Sequence, residues 1–321
     1  MKLSIVIPIY KAEKWISRSL DSIFNQGADM SKFEVICVVD GSPDNSSAIV
    51  KGYQRKYSNV ILLEQMNSGV SVARNHGIEC AKGDYITFLD SDDILIEGAL
   101  QLLITTIDSS SYDIIVCRSF INKREWPCWV HFFSDGDVSS PEQAVKKGFL
   151  RGSVWGCCYK RDLIENNKII FPIGVSNGED NFFFISCLYF SRTLLFKDIK
   201  LYKVIEEEDS LSRSFSRQRI DGVINSLKIM RDQMSLYPER KNTKFVLQYI
   251  NYTCLSGLVN STLETKNVGL CYLLKAKINN FTNFDINSDI VFLRSKMKLM
   301  KFSFSFFYFL SYFKYKVLNR R

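Results

Sequence analysis

The sequence lacks the cysteine patterns of disulfide-rich and zinc-binding proteins. Its nine cysteines are odd in number and scattered, and no two stand in a C-x-x-C spacing, whereas both kinds of protein need cysteines at short, paired intervals. We expect reduced, mostly buried thiols and therefore a cytoplasmic protein. Residues 1–10 begin like a signal peptide, but Pro8 interrupts the apolar run and no small-residue cleavage site follows. The run is instead predicted to be a buried first strand.

A glycine-rich phosphate loop is also missing. No G-x-G-x-x-G follows the first apolar run, which disfavours both a dinucleotide-dependent dehydrogenase and a nucleotidyltransferase on a similar sheet. Internal repeats and low-complexity segments are likewise absent. Apolar residues form 46% and charged residues 24% of the chain, which is typical of a folded globular protein. The length of 321 residues exceeds that of a typical single domain, so we expect one catalytic domain plus an appendage.

Acidic residues are missing from one end of the chain. Eight basic and no acidic residues lie between residue 292 and the C-terminus, and the other 34 Lys and Arg residues equal the 34 acids in number. The net charge of +8 therefore belongs to the tail. Positive charge confined to the tail does not indicate a nucleic-acid groove across the body of the protein, so we expect no nucleic-acid partner.

Apolar runs and helical patterns alternate over the first hundred residues. Strands are predicted at 3–9, 33–39, 60–63 and 85–89, and helices at 12–26, 46–57 and 70–81. The run at 33–39 is apolar almost throughout, as a parallel strand covered on both faces should be. The alternation predicts an α/β fold with a mainly parallel sheet and helices on both sides.

Polar residues follow three of these strands, at Pro8 to Tyr10, Asp40 to Ser42 and Asp90 to Asp93. In such sheets the ligand lies beyond the carboxyl ends of the strands. The three clusters should therefore converge on one crevice.

The Asp90-Ser91-Asp92-Asp93 cluster offers oxygen ligands for a divalent cation. A nucleotide sugar needs such a cation to offset the negative charge of its diphosphate. Helix capping is the alternative for these aspartates and stays open above all for Asp93. Asp40 could accept an N–H from a base, or belong to an ordinary Asp-Gly turn. Arg74 could pair with Asp40 or a phosphate, or lie on a solvated helix face.

A second acidic pair, Glu179-Asp180, stands far along the chain and opens a predicted helix. Sugar transfer with inversion needs a general base that takes the proton of the acceptor hydroxyl, and this pair is the best candidate. Acids at a helix start also interact favourably with the helix dipole, so a purely structural role stays open.

Taken in order, these segments resemble family 2 of the glycosyltransferases over about residues 1–215. The segments that carry the resemblance are Ser4 to Tyr10 with Glu13, Val39 to Ser46, Asn67 to Gly77, Gly83 to Asp93, Trp155 with Tyr159, Phe171-Pro172, Gly178 to Asp180, and Asp209 to Arg213.

The resemblance implies a GT-A fold, a nucleoside diphosphate sugar as donor (for which we expect UDP), a Mn or Mg ion, and inversion at the anomeric carbon. Asp40 would contact the base, Asp90 the ribose or donor sugar, and Asp92 the metal, while Asp180 would be the base and Glu179 would help to hold the acceptor. The further residues expected at the nucleotide sugar are Pro8, Tyr10, Glu13, Arg74 and Ser91. Trp155 would line the sugar or acceptor site, although a large aromatic residue is more often part of a core.

Residues 1–215 are thus the expected catalytic domain, with a nucleotide-binding half at about 1–110 and an acceptor half at about 111–215. Residues 216–321 would form a helical extension.

Two departures from the family pattern concern the metal and the mode of action. Many relatives have a His before the Ser-x-Ser-Arg segment, whereas this chain has Glu206 to Asp209 there, so it stays open whether Glu207 or another residue replaces that ligand. His76 and His131 are interpreted as structural. The Gln-x-x-Arg-Trp segment of processive synthases is absent, which predicts the addition of one sugar per encounter.

The tail at 300–321 combines aromatic residues at helical spacing with surrounding lysines and arginines. Its uncharged stretch is shorter than the roughly 20 residues that span a bilayer. We expect it to lie on anionic lipid at the inner face of the cell membrane, near a saccharide or lipid-linked acceptor of bacterial surface polysaccharide. Packing on the catalytic domain is the alternative for the tail.

For the whole protein, the alternative is an inactive sugar-nucleotide or glycan-binding protein on the same fold.

Overall fold

The computed structural model describes residues 1–109, 111–121, 124–125, 129–147, 149, 153–175 and 178–205, and the single residues 229 and 232. The chain divides into two compact units, one of Met1–Ile173 with Ser186–Ser210 and one of Gly174–Ile185 with Leu211–Arg321. The helical extension predicted at 216–321, including the tail at 300–321, lies outside the described residues apart from residues 229 and 232. The domain boundary near residue 215 stays a prediction.

The N-terminal half of the first unit is a parallel α/β sheet. Its strands and helices alternate as β1 Leu3–Ile9, α1 Ile16–Phe24, β2 Phe33–Asp40, α2 Ser46–Lys56, β3 Val60–Gln65, α3 Val70–Cys80 and β4 Tyr85–Phe88. The spatial order is β3-β2-β1-β4, and every neighbouring pair is parallel. The predicted parallel sheet is confirmed.

The described residues after β4 extend this sheet with strands of both directions. The elements of this part are β5 Ile94–Leu95, α4 Ala99–Asp108, β6 Ile114–Ile121, β7 Arg124–Glu125, β8 Val138–Ser139, α5 Pro141–Lys146, β9 Cys157–Lys160, α6 Arg161–Asn166, α7 Glu179–Phe190 and β10 Leu194–Val204. Strand β9 lies between β4 and β6, antiparallel to both. Strand β10 runs parallel to β6 and antiparallel to β5. The long β10 has no counterpart in the sequence prediction, because lysines and Asp198 interrupt its apolar pattern.

Alternate residues of β1 face two different helical layers. Ile5 and Ile7 belong to the apolar core that α1 and α4 help to fill. Val6 instead faces α3, where a Cβ on Gly77 would lie 2.4 Å from Val6 Cγ1. Glycine therefore lets α3 pack directly on the strand. The prediction of helices on both sides of the sheet is confirmed.

Helix α1 begins four residues later than predicted. The reason is that the preceding residues form a turn fixed by a neighbouring loop: Lys11 has a positive φ of 52°, and the Ala12 N–H donates to Ser46 Oγ at 3.1 Å. The apolar face of α1 buries Ile16, Leu20 and Ile23.

Among the described residues, all six cysteines lie outside disulfide bonds, and Cys80 is the one of these six that is not buried. The burial of the other five agrees with the mostly buried cysteines expected from the sequence. For the described part of the chain, none of the helices has the length and apolar content needed to cross a membrane.

Two glycine-to-alanine substitutions should have opposite effects on stability. Gly77→Ala should lower the free energy of unfolding by about 1–3 kcal/mol, because the new methyl group overlaps buried Val6. Gly52→Ala in α2 meets no atom within 4 Å and should raise it by about 0.5–1 kcal/mol, because alanine loses less entropy in a helix. Urea unfolding of both variants measures the difference; equal midpoints would contradict the described packing of α3.

Candidate active site at the strand ends

The three predicted polar clusters lie along one edge of the sheet. Strands β1, β2 and β4 are parallel, so their carboxyl ends, near Ile9, Asp40 and Phe88, share an edge. In the order β3-β2-β1-β4, β2 and β3 are added on one side of β1 and β4 is added on the other, so the strand order reverses between β1 and β4. Open α/β sheets bind their ligands at such a point. Pro8 is half-buried at the end of β1, and Tyr10 beyond it is exposed.

Reciprocal carboxylate contacts join the loops after β1 and β2. The Glu13 N–H donates to Asp44 Oδ2 at 3.0 Å, and the Asn45 N–H donates to Glu13 Oε2 at 3.0 Å. Asp44 Oδ1 also accepts from the hydroxyls of Ser42 and Ser46, each at 2.6 Å. Partial burial acts to raise the pKa of Asp44, but these hydrogen bonds outweigh it and lower that pKa to about 2. The described contacts of Glu13 hold this loop; its role at the nucleotide sugar stays a prediction.

Asp40 binds distant groups rather than only its own turn. Its Oδ1 accepts from Gln65 Nε2 at 2.9 Å and from the Ser68 N–H at 2.8 Å, and its Oδ2 accepts from the Gly69 N–H at 2.8 Å. A carboxylate has about four acceptor positions, so one more donor, such as the N–H of a base, can be accepted. His76 Nδ1 lies 2.9 Å from Gln65 Oε1, so this histidine acts on Asp40 through Gln65.

Arg74 pairs with Asp90 and not with Asp40, and the solvated-face alternative for it is wrong. Its Nη2 lies 2.9 Å from Asp90 Oδ1, and only 5% of its side chain is exposed. The guanidinium also lies over the Phe171 ring, 5.1 Å from its centre. The next residue, Asn75, donates to the Phe171 carbonyl at 2.9 Å and accepts from the Phe171 N–H at 2.8 Å. These contacts join the Arg74-Asn75 segment to the Phe171-Pro172 segment.

Asp93 anchors its loop to β10 instead of capping a helix. Its carboxylate accepts from the Tyr202 hydroxyl at 2.6 Å and from the Ile205 N–H at 2.8 Å. Burial raises the pKa of Asp93 to about 8, and the negative charge of Asp90 adds to this effect. Helix α4 begins only at Ala99.

The acidic part of the site consists of Asp90 and Asp92, with Ser91 between them, and all three residues are half-buried. Arg18 of α1 donates to the Asp92 carbonyl at 2.7 Å, a contact that sequence reasoning missed because no motif includes this residue. The negative charges of Asp90 and Asp92 both act on the pKa of Asp93, and hard carboxylate oxygens are what Mg²⁺ and Mn²⁺ prefer, with phosphates and waters completing the shell. The donor set therefore fits such an ion. The described residues contain no group of three His, Cys, Asp or Glu side chains that could hold a metal by themselves, so phosphate and water oxygens would have to complete the shell.

Trp155 is packed against the same network. Its ring stacks on Tyr202 with the centres 5.0 Å apart and the planes at 16°, and it is half-buried. The Tyr202 hydroxyl accepts from the Asp90 N–H at 3.2 Å. This packing agrees with the core alternative for Trp155, while its role at a sugar or acceptor stays a prediction.

Glu179 and Asp180 occupy the first turn of α7, as predicted, within the second compact unit. Gly178 precedes them with a φ of 92°, and its carbonyl accepts from the Phe182 N–H at 2.9 Å. The helix dipole favours acids at these positions. Their part in catalysis stays a prediction. The segment Glu206 to Arg213, including Glu207, lies outside the described residues.

The contacts of Asp44 predict a pH-dependent loss of stability in Asp44→Asn. At pH 7 the free energy of unfolding should fall by about 1–2 kcal/mol, because an amide cannot accept all the hydrogen bonds of the carboxylate. The folded pKa of about 2 lies below the unfolded value of about 3.9. The stabilisation is therefore complete above pH 4 and is lost as the pH falls towards 2. Urea unfolding of both proteins between pH 7 and 3 should show the difference shrinking; a constant difference would contradict this account.

Several curated proteins are similar to the chain. It is 27% identical over 281 residues to glycosyltransferase GlyA of Streptococcus pneumoniae, which covers 82% of this chain and 39% of that protein. It is 38% identical over 186 residues to the poly(ribitol-phosphate) beta-glucosyltransferase of Bacillus spizizenii, which covers 57% of this chain and 29% of that protein. The chain thus spans less than half the length of these two relatives.

Solved structures and family models agree with the fold described above. The crystal structure of Staphylococcus aureus TarS 1-349 in complex with UDP-GlcNAc matches with a TM-score of 0.78 at 20% identity, over 98% of this chain and 92% of that one. The likeness confirms the predicted GT-A fold. The family model described as glycosyl transferase family 2 matches residues 4–164, half of the chain. The chain belongs to glycosyl transferase family 2.

Proposed function

We propose that the protein transfers one sugar per encounter from a UDP-sugar to a hydroxyl of a bacterial surface saccharide or its lipid-linked precursor, with inversion at the anomeric carbon. The observation that carries this proposal is the meeting of Asp90 and Asp92 with Asp40 along one sheet edge, at the point where the strand order reverses. The TarS structure, solved with UDP-GlcNAc, and the poly(ribitol-phosphate) glucosyltransferase among the relatives support the donor and the acceptor class.

Asp40 recognises the base in this proposal. Its carboxylate already accepts three hydrogen bonds from fixed donors, so it presents one rigid acceptor rather than an adaptable side chain. An acceptor of this kind suits the imide N–H of uracil and disfavours cytosine, whose corresponding nitrogen has no hydrogen. The exposed Tyr10 and half-buried Pro8 at the neighbouring strand end would cover the nucleotide.

Asp92, together with Asp90, would hold Mn or Mg against the diphosphate. The ion would supply positive charge to the departing diphosphate. Arg74 holds Asp90 by its ion pair, and Ser91 and Asp90 would contact the ribose or the donor sugar.

Asp180 is the proposed general base, and Glu179 would help to hold the acceptor. Asp180 takes the acceptor proton as the acceptor oxygen attacks the anomeric carbon from the face opposite UDP. The bond from that carbon to the diphosphate breaks, and UDP leaves with the bonding electrons. Trp155 would line the sugar or acceptor side.

The direct test of the reaction is UDP release by the purified chain from UDP-glucose or UDP-GlcNAc, with poly(ribitol phosphate) as the first acceptor tried. We expect release that requires acceptor and stops when a chelator removes the divalent ion. Binding of UDP-sugars without turnover on any surface saccharide would instead favour an inactive binding protein.

Asp180→Asn should lower kcat by about 10²- to 10⁴-fold, which is the contribution of a general base, while UDP-sugar affinity measured by calorimetry stays within about twofold. Glu179→Gln is the matched control, because it changes the adjacent acid in the same helical turn. It should chiefly raise the KM for the acceptor. Full turnover by Asp180→Asn would remove the base assignment.

We also propose that the tail brings the enzyme to the cytoplasmic face of the membrane. Removal of residues 300–321 should abolish sedimentation with vesicles that contain anionic lipid, because the basic aromatic segment is lost. Lys314→Glu with Lys316→Glu is the matched variant, since it reverses charge without shortening the chain. Unchanged sedimentation of both proteins would contradict the membrane proposal.

A further inference from the structure

One buried hydroxyl group connects both ends of the loop from Asp90 to Asp93, here called the acidic loop. The Tyr202 hydroxyl accepts from the Asp90 N–H at 3.2 Å and donates to Asp93 Oδ2 at 2.6 Å. Tyr202 itself is fully buried in β10. A tyrosine can accept and donate at the same time, which phenylalanine cannot do. The two contacts therefore depend on one atom and hold the loop at its first and last residues.

Two further contacts hold the same loop. The Ile205 N–H, just beyond β10, donates to Asp93 Oδ1 at 2.8 Å. From α1, Arg18 donates to the Asp92 carbonyl at 2.7 Å. The backbone around Asp90, Asp92 and Asp93 is thus fixed by residues more than 70 positions away in sequence.

We propose that Tyr202 and Asp93 are positioning residues of the metal site: by fixing this loop they hold the backbone that carries Asp90 and Asp92 in the arrangement that binds the ion. The inference rests on the proposed function, in which Asp92 and Asp90 hold the cation. Ligands held in place before binding lose less freedom when the ion arrives, which is why loss of such outer partners commonly weakens metal binding by about 10- to 100-fold.

Tyr85 provides a matched control in the same sheet. It is 2% exposed, and its hydroxyl donates one hydrogen bond of 2.6 Å to the Tyr112 carbonyl. It stands at the start of β4, whereas the acidic loop follows the end of that strand. Tyr85→Phe therefore removes the same group from a comparable buried environment without a described contact to the loop.

The experiment measures Mn²⁺ binding in the presence of UDP by the EPR signal of free Mn²⁺, for the full chain and for Tyr202→Phe and Tyr85→Phe. Tyr202→Phe should bind Mn²⁺ about 10-fold more weakly, whereas Tyr85→Phe should bind as the wild type does. Thermal unfolding shows whether both variants fold. Asp93→Asn should weaken binding in the same direction; because it also changes an acidic group next to the proposed ligands, the Tyr202 change, which leaves every acid in place, is the decisive one.

The possible results separate the two claims. If the wild type binds Mn²⁺ with UDP and Tyr202→Phe binds it equally well, the positioning role is wrong and the proposed function stands. Equal weakening in both tyrosine variants would also overturn it, because the effect would then be general destabilisation. If the wild type binds no Mn²⁺ with UDP, the proposed metal role fails and the inference with it.

Discussion

Mutual repulsion among carboxylates is the constraint on which the site depends. Asp90, Asp92 and Asp93 lie within a stretch of four residues after β4, and the negative charges of Asp90 and Asp92 both disfavour ionisation of Asp93. Each is held in a different way: Arg74 pairs with Asp90, Arg18 binds the Asp92 carbonyl, and Asp93 is buried against Tyr202. Burial raises the pKa of Asp93 to about 8, and the negative charges of Asp90 and Asp92 add to this effect. A cation would relieve the repulsion, and a diphosphate needs the same cation.

The sheet and its helices bring these supports to one edge. Strand β4 places the acidic loop beside the end of β1. Helix α3 contributes Arg74, and Gly77 lets this helix lie close against the sheet. Strand β10 contributes Tyr202 from a distant part of the chain. The fold therefore does more than gather acidic residues; it supplies the groups that keep them in place.

The sequence predicts the parallel half of the fold well, because its buried strands are apolar runs and its turns contain strong signals such as Asp40-Gly41. It also indicates the acidic loop and the carboxylate at the end of β2. It does not predict which partners these groups have. The pairing of Arg74 with Asp90, the support of Asp40 by Gln65 and His76, and the anchoring of Asp93 by Tyr202 join residues 11 to 109 positions apart. No local periodicity carries that information.

Strand β10, which contains Tyr202, was not predicted for a related reason. Its lysines alternate with buried residues, so the segment lacks the continuous apolar run that identified the other strands.

The central claim is that carboxylates at the end of β4 hold a divalent ion against the diphosphate of the donor. Calorimetric titration of UDP with Mn²⁺ and with chelator tests it most directly, using Asp92→Asn and, as the control, Asp84→Asn, which changes an exposed aspartate that precedes β4 and pairs with Lys2 at 3.1 Å. The account predicts Mn²⁺-dependent binding of UDP in the wild type and in Asp84→Asn, with a loss of at least tenfold in Asp92→Asn. UDP affinity that is the same with chelator, or unchanged in Asp92→Asn, would contradict it.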